Sequence, residues 1–259
     1  MRFSSTRFTH RGGHREHNED AYYENRQSGL WLVADGMGGY RAGDRASQLV
    51  CETVADHLSS AGGELSVDAL EQCLQEANRR IWRYGQEHLG GQTLGSTVVA
   101  LQIQQQRYHV LWAGDSRCYR IRDGVIKRLS TDHSQVAEMV TQGLLTESDA
   151  EHHPLAHVIT RAMGVDETLT LDHVSGDVLP GDLFMLCSDG VTREFSDGFL
   201  GQLLEPGHIE EASRAILHSA LVNNCKDNIT CIIVRAENGW YFSDPLSTDE
   251  DVTIPRLSR

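Results

Sequence analysis

Five acidic sites in this chain share one kind of place: Glu19-Asp20, Asp35, Asp115, Asp189 and Asp227 each fall at or near the end of an expected strand. Four of them are followed by Gly, Ser or Asn, residues that turn the chain and leave the carboxylate projecting from a sheet. In Asp35-Gly36 and Asp189-Gly190 the glycine also lets backbone come close to a ligand. Any one of these acids reads as a cap, a turn or a solvated side chain; the recurrence is what carries meaning. Oxygen donors drawn from several distant strands suit hard cations such as Mg²⁺ and Mn²⁺, whereas zinc would show Cys or His at regular spacing. Two such cations about 3.5–4 Å apart can share a carboxylate and a water, lower that water's pKa and hold the oxygens of an in-line displacement. Phosphate ester hydrolysis is the natural use. Arg15, just ahead of Asn18-Glu19-Asp20, can reach the same place and grip phosphate with two parallel hydrogen bonds, or stand in a surface salt bridge.

The elements that must position these residues show in the periodicity. Leu30 to Ala34 is a short apolar run that stops at Asp35-Gly36-Met37-Gly38-Gly39, a buried strand entering a glycine loop. Arg41 to Ser60 has helical character. In the next helix Ser66 is the expected N-cap, and Leu70, Cys73, Leu74, Ala77, Ile81 and Tyr84 recur on one face. Segments 96–104, 108–113, 118–122 and 125–129 then read as four consecutive antiparallel strands, with Asp123-Gly124 as a hairpin turn. Residues 134–154 form a polar excursion with a short helical pattern at 136–140. Strands are expected at 169–174, 182–187 and 229–235, and helices at 196–204 and 209–223. Two strand-rich groups and two pairs of helices predict an α+β fold, a β-sandwich covered by helices on both sides.

Residues 1–236 are expected to form one domain, and 237–259, rich in Ser, Asp, Glu and Pro, a loosely attached tail. A net charge of −14 disfavours a nucleic-acid partner, which needs a basic face. No apolar stretch is long enough for a membrane span or a secretion signal, so a cytoplasmic protein without a membrane partner is expected. The six cysteines include no C-x-x-C pair and read as buried free thiols.

Taken in order, Arg15-Glu16-His17-Asn18-Glu19-Asp20, Val33-Ala34-Asp35-Gly36-Met37-Gly38-Gly39, Gly95-Ser96-Thr97, Ala113-Gly114-Asp115-Ser116-Arg117, Leu186-Cys187-Ser188-Asp189-Gly190 and Asp227-Asn228-Ile229-Thr230 resemble the motifs of the metal-dependent type 2C protein phosphatases, the PPM family. The resemblance runs from about residue 7 to 235. It implies an αββα sandwich with metals, Mn²⁺ or Mg²⁺, in a cleft at one end of the two sheets. Asp35 would bridge two ions, Asp189 and Asp227 would complete the first site, and Glu19 with the Gly36 carbonyl the second. Asp20 would hydrogen-bond water on the metal, Asp115 with Asp189 would hold a third, weaker ion, and Arg15 would hold the substrate phosphate. Met37 stands where many eukaryotic members carry a histidine thought to protonate the leaving alkoxide. A water or a neighbouring histidine such as His14 would have to serve instead. The resemblance implies activity on phosphoserine and phosphothreonine proteins, in opposition to a Ser/Thr kinase, by a monomeric enzyme. A short form of this kind also fits the bacterial phosphatases that reverse kinase control of type VI secretion.

Other readings have less behind them. Ser188 as a hydrolase nucleophile lacks the first glycine of G-x-S-x-G. The glycines at 36, 38 and 39 do not match G-x-G-x-x-G. His152, His153 and His157 have no clear helical spacing, Pro154 interrupting them, and read as solvated. A non-catalytic phosphate-sensing or partner-binding module on the same fold is the alternative to an enzyme, and a lost metal aspartate would favour it; none is lost.

Overall fold

The computed structural model describes residues 1–38, 42–146, 149, 153–156, 158–205 and 207–237. Gly39, His152, His157 and the tail from 238 lie outside the described residues.

The run at 30–34 belongs to a strand buried on both faces, and the reason is a four-layer architecture. One sheet contains β2 (Asp20–Asn25), β3 (Leu30–Gly38), β5 (Val98–Gln104), β6 (Arg107–Ala113) and β9 (Asp172–Asp177), in that order, with β4 (Leu94–Ser96) paired to the end of β3. The other runs β1 (Arg2–His10), β11 (Ile229–Glu237), β10 (Leu183–Cys187), β7 (Arg117–Arg122), β8 (Val125–Arg128). All pairings are antiparallel. On β3, Leu30, Leu32 and Ala34 face α1 (Gly43–Ser60) and α2 (Val67–His88), while Trp31 and Val33 face the other sheet. On β10, Phe184 and Leu186 meet them from across the sandwich, and Leu183, Met185 and Cys187 turn outward to the second helical layer. That layer contains α5 (Asp197–Leu204) and α6 (Ile209–Val222). A strand with helices on one face and a sheet on the other has no polar side to show, so its sequence is continuously apolar.

The expected helices form with the expected stops. Ser66 accepts the Ala69 amide at 3.1 Å, Ser134 caps α3 (Gln135–Thr141), and Ser196 caps α5. Leu70, Cys73, Leu74, Ala77 and Ile81 are wholly buried.

Three expectations need correction. The four strands after residue 96 do not form one consecutive meander: β5 and β6 pair in one sheet, β7 and β8 in the other, and Gly114-Asp115-Ser116 carries the chain across. The strand expected at 169–174 lies at Asp172–Asp177, and the one expected from 96 breaks at Thr97, whose amide donates to the Asp35 carbonyl. Strands β1 and β2 and the short helix α4 (Asp189–Glu194) were given no range by the sequence, although a strand end was expected beside Glu19-Asp20, where β2 begins. The first two are edge strands, half exposed and rich in Arg, Ser, Thr and Tyr, and edge strands carry little apolar periodicity. Among the described residues no helix is long and apolar enough to cross a membrane, and all six cysteines are free.

Candidate metal centre

The strand ends that carry the acids all lie at one end of the sandwich. Asp20 and Asp35 are directly opposite each other across β2 and β3, on the face that looks toward the other sheet. Asp189 follows β10, Asp227 precedes β11, and Asp115 lies in the crossing between sheets. Asp20, Asp115 and Asp189 are buried.

Backbone hydrogen bonds and small residues fix these positions. The Glu19 amide donates to Asn228 Oδ1 at 2.8 Å, and its carbonyl accepts the Gly36 amide at 3.1 Å and Ser47 Oγ at 2.6 Å. Glu19 is therefore tied to β3, to α1 and to the turn before β11. A Cβ on Gly43 would lie 2.6 Å from Glu19 Oε1 and 2.8 Å from the Gly36 carbonyl oxygen, so both oxygens face one spot that only glycine leaves open. Thr97 Oγ1 accepts the Asp35 amide at 3.0 Å and is 2.7 Å from Ser116 Oγ. Ser188 Oγ donates to Asp20 Oδ2 at 2.8 Å from across the sandwich and accepts the Thr230 amide at 3.0 Å.

The charge at this end is not neutralised by those contacts. Asp20 Oδ1 and Asp115 Oδ1 are buried with no hydrogen-bond partner. Burial, the largest cause, pushes the Asp20 carboxyl up to about 7; hydrogen bonds from Thr230 and Ser188 oppose it, and Asp189 and Asp227 add to it. Asp115 is likewise pushed to about 7 by burial, then by Asp189 and Asp132, with Arg193 opposing. Asp35 lies well above the carboxylate range, through burial and then the charges of Asp20, Asp189, Asp115 and Asp227. Glu19 is raised by burial against the pull of Arg15. Like charges opposite one another in a sheet, and orphaned carboxylate oxygens in a buried layer, destabilise a fold unless a cation answers them.

Two arginines partly answer. Arg15 Nη2 meets Asp227 Oδ1 at 2.8 Å, Arg193 Nη1 meets Asp227 Oδ2 at 2.8 Å, and Arg193 also pairs with Asp189. With Asp189 and Asp227 held in this way, no three His, Cys, Asp or Glu side chains among the described residues close on one point. The donor set fits hard divalent ions by its chemistry: all oxygen, from five separate stretches of both sheets, with two oxygens left unpartnered.

Several contributors were invisible as functional residues in the sequence. Arg193 lies one helical turn after Asp189, a spacing that becomes visible only once 189–194 is read as a helix. Gly43 and Ser47 belong to α1 and carry no local signal. Ser188 has its hydroxyl committed to Asp20 and to the Thr230 amide, which leaves the nucleophile reading without support. His14 sits on Asn224 at 2.9 Å, and His153 Nδ1 accepts the Leu155 amide in a turn. A cavity of about 620 Å³ lies at the opposite end, lined by residues such as Arg2, Phe3, Arg26 and Gln104, and contains none of the acids.

Residues 9–223 match the family model for protein phosphatase 2C. The chain is a member of the protein phosphatase 2C family. It is 31% identical over 235 residues to the serine/threonine phosphatase stp of Listeria innocua, covering 88% of this chain and 93% of that one. Among solved structures it resembles PppA of Pseudomonas aeruginosa, a regulatory component of the type VI secretion system, with 38% identity, a TM-score of 0.80, and 91% and 98% of the two chains covered. It also resembles the catalytic domain of the phosphatase PstP in complex with two manganese ions, at 26% identity and TM-score 0.82, covering 92% of this chain and 99% of that one. As a protein phosphatase 2C, the chain is an enzyme, a metal-dependent protein serine/threonine phosphatase, and the αββα sandwich is that of its relatives.

Proposed function

We propose that residues 1–236 form a cytoplasmic, monomeric catalytic unit that removes phosphate from phosphoserine and phosphothreonine in proteins, reversing a Ser/Thr kinase at a centre built from the acids above. In this reading the residues that would hold two Mn²⁺ or Mg²⁺ ions are Asp35, shared by both, Asp189 and Asp227 at one, and Glu19 with the Gly36 carbonyl at the other. Asp115 and Asp189 offer a third place. The observation that supports it most is the pair of buried, unpartnered oxygens, Asp20 Oδ1 and Asp115 Oδ1, beside Asp35 at the meeting of the two sheets. When bound, the ions supply the activated water and neutralise charge on the phosphoryl group.

The chain's own residues do the rest. Arg15 presents a half-exposed guanidinium at the rim, held by an anion, Asp227, that a phosphate replaces in kind. Asp20, whose Oδ2 accepts the Ser188 hydroxyl, keeps a buried Oδ1 without a hydrogen-bond partner and so open as an acceptor. Glu19 is locked by β3, α1 and Asn228, so its carboxylate meets the Gly36 carbonyl without searching. The likeness to PppA supports a target within the kinase control of type VI secretion.

The test is hydrolysis of a phosphothreonine peptide with Mn²⁺, with and without chelator, by the wild type and Arg15→Ala. Turnover lost in chelator and restored by Mn²⁺, with KM raised about tenfold or more in the variant, is expected from the loss of a charge-assisted grip on phosphate. Turnover indifferent to chelator, or an unchanged KM, overturns the assignment.

A further inference from the structure

His133 is buried, lies outside the acid cluster, and makes contacts that the chemistry above leaves unused. Its Nδ1 accepts the Gly114 amide at 3.0 Å, and its own amide donates to the Gly114 carbonyl at 2.9 Å. The residue before Asp115 is thus clamped at both backbone groups. Gly114 stands at φ +111°, and a Cβ there would come within 2.7 Å of Thr97, so the turn is wedged against the strand opposite. Because the Gly114 amide donates, Nδ1 is the acceptor and the ring proton belongs on Nε2, 3.3 Å from Asp172 Oδ2. Arg161 has donors only; its approach to Nε2 at 3.1 Å follows from the carboxylate they share, Asp172 Oδ1 lying 2.5 Å from Arg161 Nη1. Burial and Arg161 hold the imidazole below its usual pKa, in keeping with a neutral ring. The His133 carbonyl accepts the Thr160 amide at 2.8 Å, and the next residue, Ser134, pairs with Ile159, so the polar excursion that leaves at 134 closes at 159–160, past the 154 expected, and both ends of this 134–160 excursion meet here. The Trp112 ring stacks on the imidazole.

We propose that His133 is a positioning residue through which the two ends of the 134–160 excursion and strand β9 set the Asp115 turn. One edge of the ring, at Nδ1, holds the backbone that aims Asp115; the opposite edge, at Nε2, meets Asp172, which Arg161 also grips, from the far side of the excursion. A change at the excursion's base therefore reaches Asp115 through this imidazole. The consequence for metal binding rests on the reading of Asp115 given above; the mechanical link does not.

The experiment uses the full chain, with amide hydrogen exchange read in peptides covering 112–117 and 158–162 and Mn²⁺ binding read by calorimetry. In His133→Ala both peptides are expected to exchange about tenfold faster, as for loss of one buried hydrogen bond, and the weakest Mn²⁺ step to weaken while the tighter steps persist. His133→Asn, whose Oδ1 can accept the Gly114 amide, is expected to restore protection at 112–117 alone. Asp172→Ala removes a half-exposed carboxylate that the fold tolerates losing, and is expected to loosen both peptides, 112–117 by less. If Asp172→Ala loosens only 158–162, or if Asn and Ala are indistinguishable at 112–117, the proposal is overturned, even should His133→Ala not fold. If Asp115→Ala leaves every Mn²⁺ step unchanged while exchange responds as described, the metal reading of Asp115 fails and the role of His133 stands.

Discussion

The layer between the two sheets has two ends, and the same strands build both. Along most of its length the inward positions are apolar: Trp31 and Val33 on β3, Val99, Leu101 and Ile103 on β5, Val110 and Trp112 on β6, Phe184 and Leu186 on β10, Ile232 and Val234 on β11. Two residues further on the same face of each strand, the character changes: Val33 gives way to Asp35, Val99 to Thr97, Cys118 to Ser116, Leu186 to Ser188 and Ile232 to Thr230. A period of two carries the core straight into the site, so the strands that gain stability from the apolar stretch hold the carboxylates rigidly where they repel one another. The difference teaches that this centre is the polar end of the core itself, and that the core supplies its rigidity.

The sharpest way to break the comparison is at Asp35. Asp35→Ala is expected to lower turnover on a phosphopeptide by at least about 10³-fold, the scale of a lost metal-centre contribution. In chelator its thermal midpoint should equal or exceed that of the wild type, because a like charge has gone. A loss of midpoint in chelator together with normal turnover would mean that Asp35 is a structural residue. At the apolar end the pattern should invert. Phe184, fully buried between the sheets, should cost about 3–5 kcal/mol on truncation to Ala, read by denaturant unfolding, with Mn²⁺ affinity of the folded protein unchanged.

The apolar part of this layer was legible in the sequence because Leu30–Ala34, 98–101 and Leu183–Cys187 are continuously apolar, and only a strand buried on both faces needs that. The acids were legible as a set, since Asp35, Asp189 and Asp227 sit beside turn residues. Their partition between two sheets was not: 96–129 reads as one meander, and nothing local says that Gly114-Asp115-Ser116 crosses the sandwich. Edge strands β1 and β2 were hidden because half-exposed Arg, Ser, Thr and Tyr satisfy an edge without making a pattern. The shell around the acids was hidden for another reason. Ser188, Thr230, Thr97 and Asn228 act by hydrogen bonds to residues 42 to 209 positions away, and only the tertiary fold brings those together. Extending the inward period of two beyond the last apolar residue would have found the first three.

The acid end also predicts a pH dependence of unusual sign. Asp20 and Asp115 stand near 7 in the folded chain against an ordinary 3.8, so between these values the folded state holds more protons than the unfolded one. Stability must then fall as pH rises through that interval, the reverse of a salt-bridged carboxylate. In chelator, the thermal midpoint is expected to be higher at pH 5 than at pH 8. Saturating Mn²⁺ should flatten or reverse the trend, since a bound cation favours the anionic carboxylates in the folded state. An equal fall with and without Mn²⁺ would detach these groups from the metal.

The smallest effect expected is at the seam where the two ends meet. Ser188→Ala removes the hydroxyl that donates to Asp20 Oδ2 and accepts the Thr230 amide, leaving two buried groups short of one partner each. About 1–3 kcal/mol of stability should go, less than for Phe184, because water or a small shift can repay part of a lost hydrogen bond but none of a lost ring. Turnover should persist at saturating Mn²⁺, with a higher Mn²⁺ concentration needed for half the maximal rate, since Asp20 is aimed less firmly. A folded, Mn²⁺-binding Ser188→Ala protein without turnover would instead make the hydroxyl a participant in the chemistry, and the polar end of the core would then be more than a mount for carboxylates.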